Sequence, residues 1–269
     1  MISADCFFKI GSSHEICQDY AVSSLEPARV ILSDGCSTAP DSDIGSRLIV
    51  LSKTATKYYQ TERSIVQRAK LAAETIGLPE ECLSATLLSV EYDLDTLYAE
   101  VWGDGVVVAR KRNGNLEVFT IRYKSGAPYY LRYSLDPITE EKYVEKFGTE
   151  VEQEFVEIIN GEVVQPSKIT QKLDWNEETQ FWFPKEQYDV VAIFSDGVQS
   201  FQQRNARETS LSFTPVSHYQ IIKELFSFKG FQGHFVNRRC NKALKEFEAL
   251  GLTHTDDFSM AAIYVESSQ

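Results

Sequence analysis

Three Asp-Gly pairs each close an apolar run: Asp34-Gly35 after VILS, Asp104-Gly105 after AEVWG, and Asp196-Gly197 after VAIFS. Asp-Gly alone is turn chemistry. The pattern apolar–apolar–Ser–Asp–Gly, however, occurs twice, at Asp34 and Asp196, and each time it sets a carboxylate at the end of a buried run. Two further acidic sites precede strand-like segments: Asp19 in CQDYAVS, and Asp256-Asp257 before the last apolar run. If Asp19, Asp34, Asp104, Asp196 and Asp256 converge, the carboxylates repel and raise one another's pKa. Hard divalent cations held by oxygen remove that penalty, and carboxylates with a backbone carbonyl suit magnesium or manganese. Two such ions about 4 Å apart can carry water from a pKa of about 15.7 toward neutrality, which is hydrolysis without a covalent enzyme intermediate. Of the four histidines (His14, His218, His234, His254) none pair at i, i+4, so zinc is not expected.

These residues need elements to position them. Ser42 can cap a helix with an apolar stripe of Ile44, Leu48, Leu51, Ala55 and Tyr58. Ile65, Ala69, Ala72 and Ile76 mark a second helix, stopped by Gly77 and Pro79. Arg29–Ser33 and Val190–Ser195 read as strands buried on both faces. Leu83–Val90, Thr96–Trp102 and Gly105–Arg112 read as a meander. Asn113-Gly114 is a hairpin signal leading into Leu116–Tyr123. A helix is expected over Phe235–Leu250, with a stripe of Val236, Cys240, Ala243, Leu244, Phe247 and Leu250, a stop at Gly251, and a polar side of Arg238, Arg239, Lys242 and Lys245. Ser259–Val265 is the terminal strand. Hairpin-connected strands with helices in blocks favour antiparallel sheets covered by helices over a doubly wound parallel sheet. No dinucleotide fingerprint or Walker loop is present.

The 269 residues carry 39 acidic and 27 basic side chains, a formal charge of −12. That balance excludes a broad phosphate-contacting surface for nucleic acid and an electrostatic membrane anchor. Hydrophobic content of 43% is that of a folded chain. No apolar stretch approaches a membrane span, and the N-terminus lacks a signal-peptide pattern. Five scattered cysteines form no CxxC pair, so a reduced, cytoplasmic setting is expected. Cys17 and Cys36, each two residues from a candidate ligand, are read as small fillers or as redox-sensitive thiols. The charge is uneven: residues 136–189 hold 14 acidic and 5 basic side chains, a net of −9. This stretch reads as a solvent-facing insertion, a solvated face or a gate for a basic partner.

At the chemical residues a resemblance becomes specific. GSSHEICQDY, VILSDGCSTAPDSDIGS, SATLLSV followed by VWGDG, VAIFSDGVQSF and THTDDFSMAAIYV stand in the order and approximate spacing of the metal-dependent protein phosphatases (PPM, type 2C). The motifs span residues 11 to 265. The resemblance implies one phosphatase-like domain over 1–269, with a variable flap or insertion at about 123–189. The implied fold is mixed α/β (α+β), a four-layer α-β-β-α sandwich of two antiparallel sheets flanked by helices. It implies that Asp34 bridges two catalytic Mn2+ or Mg2+ ions, with the Gly35 carbonyl also binding. Asp19 then serves the second ion, and Asp196 and Asp256 the first. Asp104 with Asp196 would hold a third, weaker ion. The implied reaction is in-line attack of a bridging water or hydroxide on a phosphoserine or phosphothreonine monoester of a protein substrate. A monomer is expected, with no nucleic-acid or membrane partner.

Departures from the pattern fall on phosphate recognition. His14 stands where many members carry a phosphate-binding arginine. It is read as a phosphate contact or general acid, or as a structural side chain. Cys36 stands where some members have histidine, and Gly105-Val106 replaces the Ser-Arg that follows the family's Gly-Asp. The alternative function is a catalytically weak or inactive metal-binding or scaffold relative. A kinase reading of Asp257-Phe258-Ser259 fails for want of a glycine-rich phosphate loop and a catalytic His-Arg-Asp.

Overall fold

The computed structural model describes residues 1–55, 61–164, 167–172, 174–204 and 212–266. In chain order the elements are β1 (Ile2–Lys9), β2 (Tyr20–Leu25), β3 (Ala28–Ser33), α1 (Ser42–Thr54), α2 (Glu62–Thr75), β4 (Leu87–Asp93), β5 (Thr96–Trp102), β6 (Gly105–Lys111) and β7 (Leu116–Tyr123). There follow α3 (Pro137–Phe147), β8 (Val151–Ile159), β9 (Glu162–Val163), β10 (Ser167–Lys172), β11 (Thr179–Pro184) and β12 (Tyr188–Phe194). The chain continues through β13 (Phe201–Arg204), β14 (Phe213–Pro215), α4 (His218–Leu225), α5 (Phe235–Ala249), β15 (Leu252–His254) and β16 (Phe258–Val265). The larger sheet runs β1-β16-β12-β6-β7-β8-β10, with β9 paired to β8, and the second runs β11-β5-β4-β3-β2. A small third sheet is β14-β13-β15. Every strand pairing among the described residues is antiparallel. No described helix is long and apolar enough to cross a membrane.

The alternation of side chains along a strand explains the apolar runs. On β6, β12 and β16, Val107, Ala109, Val191, Ile193, Ala261 and Ile263 face the core shared with the second sheet and with α1 and α2. Their neighbours Val106, Val108, Val190, Ala192, Met260 and Ala262 face the opposite way, into a core roofed by Ile222 and Leu225 of α4 and by Cys240, Leu244 and Phe247 of α5. Strands with helices or a sheet on both faces cannot alternate polar and apolar, so they read as continuous runs. The result is the expected four-layer α-β-β-α sandwich of mixed α/β class.

Several local expectations are corrected. Ser42 does not cap α1; Asp41 holds that place in the left-handed region (φ 51°), with no side-chain cap. The Ser42 hydroxyl instead accepts a hydrogen bond from Gln18 Nε2 at 2.7 Å. The buried face of α1 is Ser42, Gly45, Ser46, Ile49, Val50 and Ser52, and Leu51 is exposed. Small residues let the helix approach closely, so the largest apolar side chains misreport its inner face. Tyr58 lies outside the described residues. Ile76 and Leu250, placed on apolar stripes, fall beyond their helices and are exposed. The expected meander breaks at Gly103-Asp104: β5 belongs to the second sheet and β6 to the larger one. Gly103 (φ 88°) and Gly105 (φ 143°) allow this two-residue crossing, which an ordinary L-residue would resist.

The acidic stretch 136–189 supplies α3, β8, β9, β10 and β11, so it forms the β10 edge of the larger sheet and the β11 edge of the second. Some of its charges are paired across strands. Glu154 meets Arg122 at 3.2 Å, Glu157 meets Lys111 at 3.1 Å, and Asp189 holds Arg110 through two bonds of 2.8 and 2.9 Å.

The first turn of α5 takes its cap from another element. Buried Asp5 on β1 accepts the Asn237 N–H at 2.9 Å, while the α5 N-cap residue His234 provides no side-chain cap. An unmet helix N–H costs about 1–2 kcal/mol, so Asp5→Ala should lower unfolding stability by about that amount in a urea titration. An unchanged midpoint would show that the bond contributes nothing.

Candidate active site

The five candidate carboxylates lie at one end of the sandwich. Asp34 directly follows the end of β3, and Asp196 opens a 3-10 turn (Asp196–Gln199) just after β12. Asp104 sits in the crossing between β5 and β6, Asp19 just before β2, and Asp256 just before β16. Antiparallel pairing makes the start of one strand neighbour the end of the next, so all five loops share one edge.

Asp34 occupies the middle. Its carboxyl lies within hydrogen-bonding reach of both Asp19 and Asp196. Burial, with the charges of Asp19, Asp196, Asp256 and Asp104, pushes the Asp34 carboxyl well above the usual carboxylate range. Burial likewise raises Asp19, Asp104 and Asp196. Asp19 is wholly buried; its Oδ2 accepts the Ser195 hydroxyl at 2.7 Å, while its Oδ1 has no hydrogen-bond donor. Asp196 Oδ1 is buried in the same condition. Carboxylate oxygens that face one another without a donor need a proton or a cation between them. Among the described residues no three His, Cys, Asp or Glu side chains close on one point as a ready cage. The carboxylates neighbour one another pairwise, with Asp34 shared.

Backbone contacts fix the loops. Asp34 N–H donates to Thr86 Oγ1 at 3.0 Å and Asp34 C=O accepts from Thr86 N–H at 2.9 Å. Gly35 pairs with Ala85 as an isolated bridge, and its N–H donates to the Gln18 carbonyl at 3.2 Å. Ser195 Oγ also accepts from Ser259 N–H at 3.0 Å, tying β12, β16 and Asp19 together. At Gly197 a Cβ would stand 1.7 Å from the Asp257 carbonyl oxygen, so only glycine lets the Asp196 turn pack on the Asp256-Asp257 backbone.

Asp257, given no role by its sequence context, is the clamp of the site. Its 1%-exposed carboxylate accepts Gly11 N–H at 2.8 Å and Gln18 N–H at 2.6 Å. It thereby joins the loop that ends at Asp19 to the loop that carries Asp256. His14 lies against both acids, with Nε2 3.4 Å from Asp256 Oδ1 and Nδ1 3.1 Å from Asp257 Oδ2. Burial pulls its pKa down, but Asp257, Asp256 and Asp19 outweigh it, and the imidazole is raised overall. Both ring nitrogens thus face carboxylates. All five cysteines are free. Burial, reinforced by Asp257 and Asp19, pushes the Cys17 thiol up to about 12, the behaviour of an inert protonated filler.

The model of the family described as protein phosphatase 2C matches residues 10–247. The chain belongs to the protein phosphatase 2C family. Solved structures support the fold of this phosphatase 2C chain. One is PppA, a key regulatory component of T6SS in Pseudomonas aeruginosa, with a TM-score of 0.56 and 12% identity over 98% of this chain and 97% of that one. Another is the serine/threonine phosphatase Stp1 from Staphylococcus aureus, with a TM-score of 0.54 and 12% identity over 99% and 96%. A third is the catalytic domain of the serine threonine protein phosphatase PstP in complex with 2 manganese ions, with a TM-score of 0.53 and 12% identity over 99% of both chains. At this identity the likeness is one of fold. No curated protein matches the chain.

Proposed function

We propose that this phosphatase 2C chain, as a single domain over 1–269, hydrolyses phosphoserine and phosphothreonine monoesters on cytoplasmic phosphoproteins with two Mn2+ or Mg2+ ions. The observation that carries the reading is Asp34 set between Asp19 and Asp196, with buried Oδ1 atoms on both neighbours that lack a donor. An all-oxygen donor set of this kind fits hard divalent cations. Asp34 would be shared by the pair, with the Gly35 carbonyl also binding; Asp19 would serve one ion, Asp196 and Asp256 the other, and Asp104 with Asp196 a weaker third. Bound there, the cations supply a water nucleophile at neutral pH and neutralise charge on the phosphoryl group.

The remaining work belongs to the chain itself. Ser195 orients Asp19. Ser200 Oγ accepts the Asp256 N–H at 3.2 Å and so holds that loop. His14 retains a proton to higher pH than an isolated imidazole, and Nε2, the nitrogen farther from its carboxylate, is the one placed to contact phosphate or protonate a leaving alkoxide.

The test is phosphate release from p-nitrophenyl phosphate and a phosphothreonine peptide with manganese, magnesium or EDTA. Turnover should need the metal and be lost in Asp196→Ala; full activity in EDTA would sink the mechanism. One observation favours the rival scaffold reading: both nitrogens of His14 face carboxylates. Clear metal binding with no turnover on either substrate would establish it. His14→Ala should raise KM for the phosphopeptide, lower kcat, or both, by about 10- to 100-fold in kcat/KM, the scale of one lost hydrogen bond to a charged group. An unchanged profile would make His14 structural.

A further inference from the structure

Arg122, near the end of β7, donates from Nε and Nη2 to Gln199 Oε1 at 3.1 and 2.7 Å, and from Nη1 to Glu154 Oε2 at 3.2 Å. Gln199 closes the 3-10 turn that Asp196 opens. The next residue, Ser200, donates its hydroxyl to the Gly197 carbonyl at 2.8 Å and accepts the Asp256 N–H at 3.2 Å. The turn therefore carries one candidate ligand and holds the loop of another, and its far end is pinned by one guanidinium. Thr120, two residues before Arg122 on the same face of β7, is fully buried and its Oγ1 has no partner. His218 of α4 is 9% exposed, and its Nε2 also lacks a partner. Burial, with the nearby Arg122 charge, pushes this histidine down to about 4, so it is neutral where the enzyme works. A neutral imidazole leaves the guanidinium bonded to Gln199 and Glu154 without a competing cation.

We propose that Arg122 is a positioning residue: acting through Gln199 it holds the turn bearing Asp196 and the loop bearing Asp256, and so sets how tightly that pair binds a divalent cation. The inference rests on the divalent-cation reading of the site. The sign of the effect separates positioning from charge. Removing a positive group near a cation site strengthens cation binding if only the electrostatic field matters, whereas loss of positioning weakens it.

The experiment is Mn2+ titration by isothermal calorimetry of wild type, Arg122→Met, Gln199→Leu, the double variant and Gln199→Glu, with thermal melts in EDTA. Arg122→Met and Gln199→Leu should each weaken Mn2+ binding about tenfold, the scale set by losing two hydrogen bonds. The double variant should be no weaker than either single one, because both break the same link. Gln199→Glu, which keeps an acceptor for the guanidinium, should bind at least as tightly as wild type. If Arg122→Met does not fold, Gln199→Leu carries the test. Unchanged or tighter Mn2+ binding in the folded variant, or additive losses in the double variant, overturns the proposal while leaving the metal site intact. Absence of Mn2+ binding by wild type overturns the divalent-cation reading and this inference with it.

Discussion

Replacement of Asp34 by asparagine should abolish phosphate release yet leave the metal-free protein more heat-stable than wild type. The two effects share one origin. Asp34 faces Asp19 and Asp196, and burial together with those charges raises its pKa well above the carboxylate range. An asparagine amide carries no charge and can donate to a neighbouring carboxylate oxygen that otherwise lacks a donor. The gain should be about 1–3 kcal/mol, or several degrees of melting temperature in EDTA. Its pH dependence follows from linkage. A carboxyl with a native pKa above its unfolded value of about 4 holds more protons folded than unfolded, so its cost grows as pH rises and vanishes toward pH 4. The advantage of Asp34→Asn should therefore be largest near pH 8 and disappear in acid. Activity should fall by more than the roughly 10- to 100-fold that loss of an outer partner costs a metal site. Melting curves in EDTA across pH 4–8, with p-nitrophenyl phosphate assays in manganese, check both halves. A variant less stable than wild type at pH 8 without metal would refute the electrostatic account.

Asp257→Ala should be the most damaging substitution of a residue outside the proposed ligand set. It leaves the Gly11 and Gln18 N–H groups without their acceptor and frees the loop before Asp19 from the loop of Asp256. Stranding one buried and one half-buried donor, with the lost packing, costs about 3–5 kcal/mol, which lowers the melting temperature by about 10 °C. Activity should fall even at temperatures where the variant is folded, because Asp19 and Asp256 lose their common anchor. Asp257→Asn keeps one carbonyl oxygen and should recover part of the stability. A melting temperature for Asp257→Ala within about 2–3 °C of wild type would show that the clamp is not structural.

Much of the site was legible because a buried strand followed by Asp-Gly marks a carboxylate at the sandwich edge whatever the rest of the chain does. Asp34 and Asp196 follow from that logic, and the two-faced burial of β12 and β16 follows from their unbroken apolar runs. What local pattern could not supply depends on contacts between distant positions. Asp257 acts on Gly11 and Gln18, and Arg122 acts on Gln199; none of these pairs leaves a mark in a short window. The crossing at Gly103-Asp104 was hidden because strand periodicity says how a segment is buried, not which sheet receives it. On α1 close approach selects Gly45, Ser46 and Ser42 for the inner face, and hydrophobic size does not report that choice.

The strand order carries a consequence for biosynthesis. β16 lies between β1 and β12, pairing from Ile2 opposite Val265 on one side and from Val190 opposite Tyr264 on the other. During synthesis β1 therefore lacks its native partner until β16 has left the ribosome, and sheets with such long-range pairings form slowly and expose sticky edges meanwhile. The same late segment brings Asp256 and Asp257. The candidate cleft is therefore complete only once β16 has closed the larger sheet.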